Sequence, residues 1–213
     1  MSLYLFSGGG DIHGNSTSST EIWDGKTWKS HVELPRPLES HCIVKINSSH
    51  VFVGGGDFIA KNNYSLISLM AFIYDGNEFT PVANLSMPRI NPACGLHEDH
   101  YVFVTGGNFD DEYDSYETSE YFSLKTMTWN EGPSFDSEAD GGQILSTNNR
   151  TILIGNNYIY ELIKVGEESW EWEKLGMFDE RESFDAFLIA GDCKNWTNGD
   201  INDKDDDDEH YFN

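Results

Sequence analysis

A short apolar segment that ends in a glycine pair recurs along the chain, and this recurrence constrains the fold more than any other feature. The pairs are Gly9-Gly10, Gly55-Gly56 and Gly106-Gly107, and a fourth segment ends at Gly155-Asn156. Successive steps are 46, 51 and 49 residues apart. A period of about 50 residues is long for a helical-hairpin repeat and matches one four-stranded antiparallel unit.

A large aromatic residue keeps phase with the glycine steps. Trp28, Phe79 and Trp129 each precede the next glycine step by 26 or 27 residues. The distance from a glycine step forward to its aromatic residue varies between 19 and 24 residues. One half of each unit therefore has fixed geometry, and the other half carries a loop of variable length. We expect the aromatic side chain to fill the space between successive units.

Each unit reads as four short β-strands. Alternating apolar residues with β-branched or aromatic enrichment are typical of half-buried strands, and an apolar helical period is absent. Asp75-Gly76 is a hairpin signal, because glycine readily adopts positive φ. The predicted class is all-β, and the strands predicted for the second unit are His41–Ile46, His50–Val53, Met70–Tyr74 and Glu78–Ala83.

This combination resembles the kelch repeat. That repeat has an apolar strand ending in a double glycine, then a Tyr-Asp-like step, which here is Trp23-Asp24-Gly25 and Tyr74-Asp75-Gly76. A Pro-x-x-Arg-like connection follows the aromatic residue, as in Leu34–His41 and Met87–Arg89. The resemblance covers about residues 3–191 and implies a kelch-type β-propeller, with a degenerate fourth unit. It implies no particular activity, because this fold hosts binding modules and enzymes.

Counting predicted strands gives about four blades of four antiparallel strands. Two arrangements remain open, a small closed ring and an open arc of a larger propeller, and the start inside a strand favours the arc as an N-terminally incomplete copy. The predicted organisation is a propeller over 1–193, with units near 1–37, 38–90, 91–140 and 141–183 and a closing strand at 184–191, followed by an acidic disordered tail at 194–213.

Charge and hydropathy exclude several partner classes. The formal net charge of −24 and the pI near 4.3 argue against nucleic acid, because phosphate binding needs a basic patch. No apolar run reaches the roughly 18 residues of a membrane span. Aromatic residues make up 14% of the chain, which indicates a folded protein despite the charge.

The cysteines and the glycosylation motifs bear on the compartment. Three cysteines exclude a complete disulfide framework, and Cys42 and Cys94 are either small buried residues or a bridge if their strands become neighbours. Six Asn-x-Ser/Thr motifs occur where composition predicts about 2.5. They favour a secreted protein that lacks its signal peptide here, and a cytoplasmic protein is the alternative. The candidate N-glycosylation sites are Asn15, Asn47, Asn63, Asn84, Asn149 and Asn195.

No motif predicts catalysis, a metal or a cofactor. Acidic residues crowd 110–120, but their spacing lacks the regularity of a calcium loop. An oxidase-type propeller would need a Tyr/His/Cys constellation, and a sialidase-type propeller would need three arginines on one carboxylate. The chain has four arginines, of which Arg36 and Arg89 lie in repeat-equivalent connections and predict a structural role.

The variable loops are the predicted binding surface. Segments 11–20, 57–69 and 108–119 differ in length and chemistry while the blade frames repeat, and loops on a rigid scaffold commonly carry recognition. We expect a non-enzymatic module that binds a protein with a basic surface, or alternatively a glycan. The alternatives are tolerated insertions, an enzyme-like propeller, and a substrate adaptor without its N-terminal domain. The candidate residues are His13, Asn15, Lys61, Asn62, Tyr64, Asp110, Asp111, Glu112, Tyr113, Asp114 and Tyr116.

Overall fold

The structure is a computed structural model. It describes residues 4–59, 65–109, 116–136, 142–147, 150–155 and 157–177. The predicted closing strand 184–191 and the tail 194–213 lie outside these residues. Within the described segments, no helix has the length and hydropathy that membrane crossing requires.

The described residues form four successive antiparallel sheets, which we call blades 1 to 4, and contain no helix. Blade 1 has three strands and each of the others has four, paired in chain order. Blade 1 contains β1 (Tyr4–Ser7), β2 (Thr20–Trp23) and β3 (Trp28–Ser30). Blade 2 contains β4 (Cys42–Lys45), β5 (Val51–Gly54), β8 (Ala71–Tyr74) and β9 (Phe79–Pro81). Blade 3 contains β10 (Ala93–His97), β11 (Tyr101–Thr105), β12 (Ser119–Ser123) and β13 (Thr128–Glu131). Blade 4 contains β14 (Gln143–Ser146), β15 (Thr151–Ile154), β16 (Tyr158–Gly166) and β17 (Ser169–Met177).

The first strands of neighbouring blades lie side by side. Strand β10 contacts β4 on one side and β14 on the other. The approach is close at Gly95 of β10, where an added Cβ would lie 2.1 Å from Cγ2 of Ile144. These first strands are therefore the inner strands of the blades, which is the arrangement of a β-propeller. The all-β propeller prediction is confirmed.

Apolar clusters fill the three junctions between blades. Leu38, Val53 and Phe72 belong to the cluster between blades 1 and 2. Phe52 and Phe122 belong to the cluster between blades 2 and 3. The junction of blades 3 and 4 is aromatic, and its buried members include Tyr101, Phe103, Tyr121, Trp170 and Trp172.

Two of the repeated aromatic residues, Phe79 and Trp129, pack toward the preceding blade. Phe79 is buried at the first junction, and Trp129 packs at the second, where its indole Nε1–H donates to Ala83 O at 2.7 Å. Trp28 is 42% exposed and contacts Trp23 of its own sheet at 5.5 Å. The expectation that Trp28 fills a junction stays a prediction, because the described residues contain no blade before blade 1.

The glycine pair of the first repeat is Gly8-Gly9, and the sequence-based pairing of Gly9 with Gly10 is off by one residue. Both members of each pair have positive φ, 66° and 93° for Gly8 and Gly9 and 73° and 81° for Gly55 and Gly56. At Gly56, an added Cβ would lie 2.3 Å from Glu39 O. Gly106 and Gly107 follow the same pattern, at 64° and 82°. The pairs therefore turn the chain where it passes close to the connection between blades.

The predicted strands of the second unit are present, with bounds that differ by one or two residues; three are shorter, and Val51–Gly54 is shifted by one residue. The segment 57–69 differs from the predicted loop, because it contains a small hairpin. Its strands are β6 (Asp57–Ile59) and β7 (Ser65–Ile67). This hairpin lies between β5 and β8 in the chain and pairs as a separate two-stranded sheet.

A disulfide joins Cys42 of β4 to Cys94 of β10. The two Cα atoms are 5.8 Å apart, because the inner strands of blades 2 and 3 are neighbours. The bridge left open by the sequence is therefore formed, and it links two blades close to the propeller axis.

Candidate functional site

The strand order places the variable loops and the connections between blades at one end of the molecule. Strands run antiparallel in chain order, so the turns after the second and fourth strands of every blade share that end. We call it the loop face, residues 8–19, 31–41, 55–59, 65–70, 82–92, 106–109 and 116–118. We call the opposite end the hairpin face, residues 24–27, 46–50, 75–78, 98–100 and 124–127.

Backbone hydrogen bonds join neighbouring segments of the loop face. Glu39 and Asp57 exchange two bonds of 2.9 Å, and Ile90 and Asn108 exchange bonds of 2.9 and 2.8 Å. Asn91 N–H donates to Ser40 O at 2.8 Å, which links the two connections to each other. Fixed backbone under the loops reduces the conformational entropy that is lost when a partner binds.

Ser16 connects the loop of blade 1 to blade 2. Its hydroxyl donates to Glu39 Oε1 at 2.8 Å and accepts the Ile59 backbone N–H at 3.0 Å. Ser65 donates to Asp57 Oδ2 at 2.8 Å and closes the base of the β6–β7 hairpin. The loops of the first two blades are thus held against each other by side chains as well as by backbone.

The candidates His13 and Asn15 lie on a loop that is ordered by Asp11. The Asp11 carboxylate accepts the backbone N–H groups of His13 and Asn15 at 2.8 and 2.9 Å, and the Asn15 amide at 3.1 Å. Hydrogen bonds from Asn15 and, with a smaller effect, from the His13 backbone N–H lower the pKa of Asp11. Both candidates are exposed, so the loop presents them to solvent.

Exposed apolar side chains lie on all three variable loops, which the sequence analysis did not anticipate. Ile12 in the first loop is 94% exposed, and Leu66 in the second is 49% exposed. Ile59 in the second loop and Phe109 in the third are also exposed. The expected polar and acidic surface therefore includes an apolar component in its described part.

Eight of the eleven candidate partner-binding residues fall outside the described residues. They are Lys61, Asn62, Tyr64, Asp110, Asp111, Glu112, Tyr113 and Asp114. Among the candidate glycosylation sites, Asn63, Asn149 and Asn195 also lie outside, whereas Asn15, Asn47 and Asn84 are exposed.

Tyr116, the remaining candidate, covers a buried ion pair. Its ring centroid lies 4.9 Å from Cζ of Arg89 and 4.9 Å from the centroid of the Phe109 ring. Arg89 is fully buried, and its Nε–H donates to Glu120 Oε1 at 3.2 Å. Part of the Tyr116 surface therefore serves the fold.

Arg89 and Glu120 are embedded in further hydrogen bonds. Arg89 donates to Gly106 O at 2.6 Å, to Thr118 O at 3.0 Å and to Thr118 Oγ1 at 3.0 Å. Glu120 Oε2 accepts the backbone N–H and the hydroxyl of Ser86, at 2.7 and 2.9 Å. Burial lowers the pKa of Arg89, and the Glu120 carboxylate opposes that shift. The pair ties the connection after blade 2 to the second and third strands of blade 3.

The two arginines that the sequence placed in equivalent connections do not occupy equivalent positions. Gly9 N–H donates to Leu38 O, and the matching bond in the next repeat runs from Gly56 N–H to Arg89 O. Arg89 therefore corresponds to Leu38. The predicted structural role holds for Arg89, whereas Arg36 lies two residues before Leu38 and has different neighbours.

Arg36 borders a cavity of about 330 Å³ on the loop face. Its guanidinium lies over the Phe58 ring, with Cζ 4.3 Å from the centroid, and Nη1–H donates to the Met70 sulfur at 3.4 Å. Arg36 is half-buried. The other lining residues are Pro35, Met70, Ala71, Phe72, Pro81 and Asn84.

His41 lies beneath the glycine pairs at the inner edge of the loop face. An added Cβ on Gly8 would lie 2.8 Å from its Cε1. Burial lowers the pKa of His41 to about 4, so the imidazole is neutral at physiological pH. A neutral, enclosed ring in this place supports the close packing of the glycine turns.

A second cavity, of about 300 Å³, lies where the inner strands of blades 2, 3 and 4 approach the hairpin face. Its lining includes Lys45, Glu98 and Asp99 but contains no described Arg, Tyr or His. No group of three or more His, Cys, Asp or Glu side chains converges as a metal site within the described segments.

Comparison with known proteins finds sequence similarity to viral kelch-repeat proteins. No protein-family model matches the chain. Kelch repeat and BTB domain-containing protein 1 of horsepox virus is 26% identical over 148 residues, which are 66% of this chain and 23% of the viral protein. The camelpox virus protein of the same name is 28% identical over 130 residues, which are 57% of this chain and 21% of that protein.

Structural similarity points to the same fold. The solved structure of YjhT matches with a TM-score of 0.65 at 15% identity, over 83% of this chain and 65% of that one. The repeats of this chain are similar to those of kelch proteins. The chain spans about a quarter of the length of the viral kelch proteins it matches.

Similarity to kelch proteins makes the positions of the arginines informative, because an enzyme-like kelch propeller of sialidase type would bring several arginines together. Arg89 is buried with Glu120. Arg150 forms a bidentate pair with Glu161, at 2.6 and 2.7 Å. Only Arg36 borders one of the two cavities described above. The described arginines therefore do not share a pocket, and Arg181 lies outside the described residues.

Proposed function

We propose that this kelch chain is a non-enzymatic module that binds a protein through its loop face. The observation that carries the proposal is the set of exposed apolar side chains on the three variable loops, above all Ile12 and Leu66. Large apolar side chains that are exposed on the loops of a rigid scaffold are candidates for a partner interface.

The fixed backbone beneath these side chains also supports a binding role. The loops of blades 1 and 2 meet at Ser16, and the connections meet at Ser40 and Asn91. A preorganised surface loses less entropy on association than a flexible one. A basic surface on the partner remains part of the proposal, because the acidic stretch around residues 110–120 belongs to the third loop.

A second form of the proposal concerns a longer protein. The viral relatives combine kelch repeats with a BTB domain by name, and the chain matches 23% of the horsepox protein. A substrate adaptor would present the same loop face while another domain assembles the complex. The coding sequence upstream of Met1 tests this form, since an adaptor predicts a further domain there.

Binding through the loop face is tested with charged substitutions at exposed apolar positions. We expect Ile12→Asp with Leu66→Asp to weaken capture of the partner from native cell extract at least about tenfold, because apolar contacts at an interface centre are replaced by desolvated charges. Both side chains are exposed, so the melting temperature of the variant should equal that of the wild-type chain.

Met127→Asp is the matched control. Met127 is 48% exposed, a fraction similar to that of Leu66, but it lies on the hairpin face. We expect it to retain full capture. Equal capture by the loop-face variant and the control would overturn the proposal.

A further inference from the structure

The guanidinium of Arg36 has no carboxylate partner among the described residues. Among the described residues, its five N–H donors meet one acceptor, the weak thioether sulfur of Met70. No carboxylate of the described residues lies within ion-pair distance of it. Phe58 covers one face of the guanidinium, which limits its rotation.

The repeat itself does not require an arginine here. Arg36 corresponds to Met87 in the next connection, because each lies two residues before the equivalent pair Leu38 and Arg89. In that next repeat Thr118 Oγ1 contacts the Met87 sulfur at 3.9 Å, where Arg36 contacts the Met70 sulfur in this one. A methionine occupies the equivalent position in the next repeat. The positive charge at Arg36 is therefore not required for packing of the blade.

The cavity beside Arg36 combines one cation with apolar walls. Met70, Pro81 and Pro35 line it, Asn84 contributes an amide, and none of its lining residues is acidic. A guanidinium in such a setting matches a carboxylate, which it binds through two parallel N–H donors. Arginine held against an aromatic ring is also a common anchor at protein interfaces.

We propose that this cavity receives an aspartate or glutamate side chain of the protein partner. The carboxylate pairs with Arg36, and an apolar neighbouring residue of the partner contacts Met70 and Pro81. The inference rests on the proposed function and adds the chemistry of one contact. It places an acidic residue of the partner at the junction of blades 1 and 2, separate from the acidic third loop.

The experiment uses a phage-displayed library of random 12-residue peptides, selected on the intact chain. We expect the enriched peptides to share one Asp or Glu beside an apolar residue. A synthetic peptide of the winning sequence, with both ends blocked, is then titrated against wild-type chain, Arg36→Gln and Arg150→Gln. Arg150 is the matched control, because it already pairs with Glu161 and lies at the far end of its blade.

Arg36→Gln should weaken peptide binding at least about tenfold. Replacing the shared acid of the peptide by its amide should weaken binding of the wild-type chain by a similar factor. Combining the two changes should weaken binding little more than either change alone. Arg150→Gln should leave affinity unchanged. Peptides without a shared acid, a failure to enrich any sequence, or full affinity for Arg36→Gln would overturn the inference. Peptides that need Ile12 and Leu66 but not Arg36 would overturn it while leaving the proposed function intact.

Discussion

At the scale of single residues, the second junction between blades uses an ion pair where the first uses apolar side chains. Leu38 and Phe72 are both buried at the first junction, and the equivalent residues at the second are Arg89 and Glu120. A buried ion pair stabilises a fold only when its remaining donors and acceptors are satisfied. Ser86, Gly106 and Thr118 supply those bonds.

This equivalence gives a sharp test by exchange between repeats. We expect Arg89→Leu alone to lower the free energy of unfolding by about 3–5 kcal/mol, because it leaves the Glu120 carboxylate buried without its cation. The double variant Arg89→Leu with Glu120→Phe copies the first junction, and we expect it to recover more than half of that loss. Urea unfolding measures both.

The control for the exchange is Glu120→Phe alone, which should be destabilising because Arg89 then lacks an anion. If the losses of the two single variants simply add in the double variant, the pair does not act as a unit and the interpretation fails.

Residue positions also show where sequence reasoning stops. Three consecutive glycines, Gly8 to Gly10, left the turning pair ambiguous by one residue, and only the backbone conformation distinguishes Gly8-Gly9. The partnership of Arg89 with Glu120 spans 31 residues and depends on how one blade packs on the next. Neither spacing nor composition encodes that contact.

At the scale of elements, the strands and their order were predictable and the contacts between blades were not. Alternation and turn residues located every strand of blade 2, since both signals are local. The β6–β7 hairpin was missed, because its strands have only three residues each and leave little pattern to detect. The candidate loops could be named from their variable length, whereas the exposure of Ile12 and Leu66 depends on tertiary packing.

At this scale we predict how much the disulfide between the inner strands β4 and β10 stabilises the fold. The bridge closes a segment of 52 residues, which corresponds to about 4 kcal/mol of stabilisation in the chain-entropy estimate. We expect Cys42→Ala with Cys94→Ala to lower the free energy of unfolding by about 2–4 kcal/mol. Urea unfolding without reductant measures the loss.

Non-reducing peptide mapping supplies the control for that loss. It should recover one cross-linked peptide pair that contains Cys42 and Cys94, while Cys193→Ala should leave that pair and the stability unchanged. Recovery of both cysteines as free thiols under non-reducing conditions would contradict the inter-strand bridge.

At the scale of the whole molecule, the propeller separates a structural end from a recognition end. The hairpin face has short turns, whereas the loop face carries the long variable loops joined by the connections between blades. The fold could be predicted from the sequence because the strand pattern of the blade repeats. The chemistry of recognition lies in the segments that do not repeat, so the partner class has to be inferred from exposed side chains such as Ile12 and from Arg36.

Site-specific photo-crosslinking tests the central claim most directly. A photoreactive phenylalanine analogue is placed at Ile12, Leu66 or Met127, and the chain is irradiated in extract of its native cells. The account predicts that Ile12 and Leu66 label the same protein, that excess unlabelled wild-type chain competes for it, and that Met127 labels no such protein. Labelling from Met127 alone, or equal labelling from all three positions, would contradict a loop face that binds a protein.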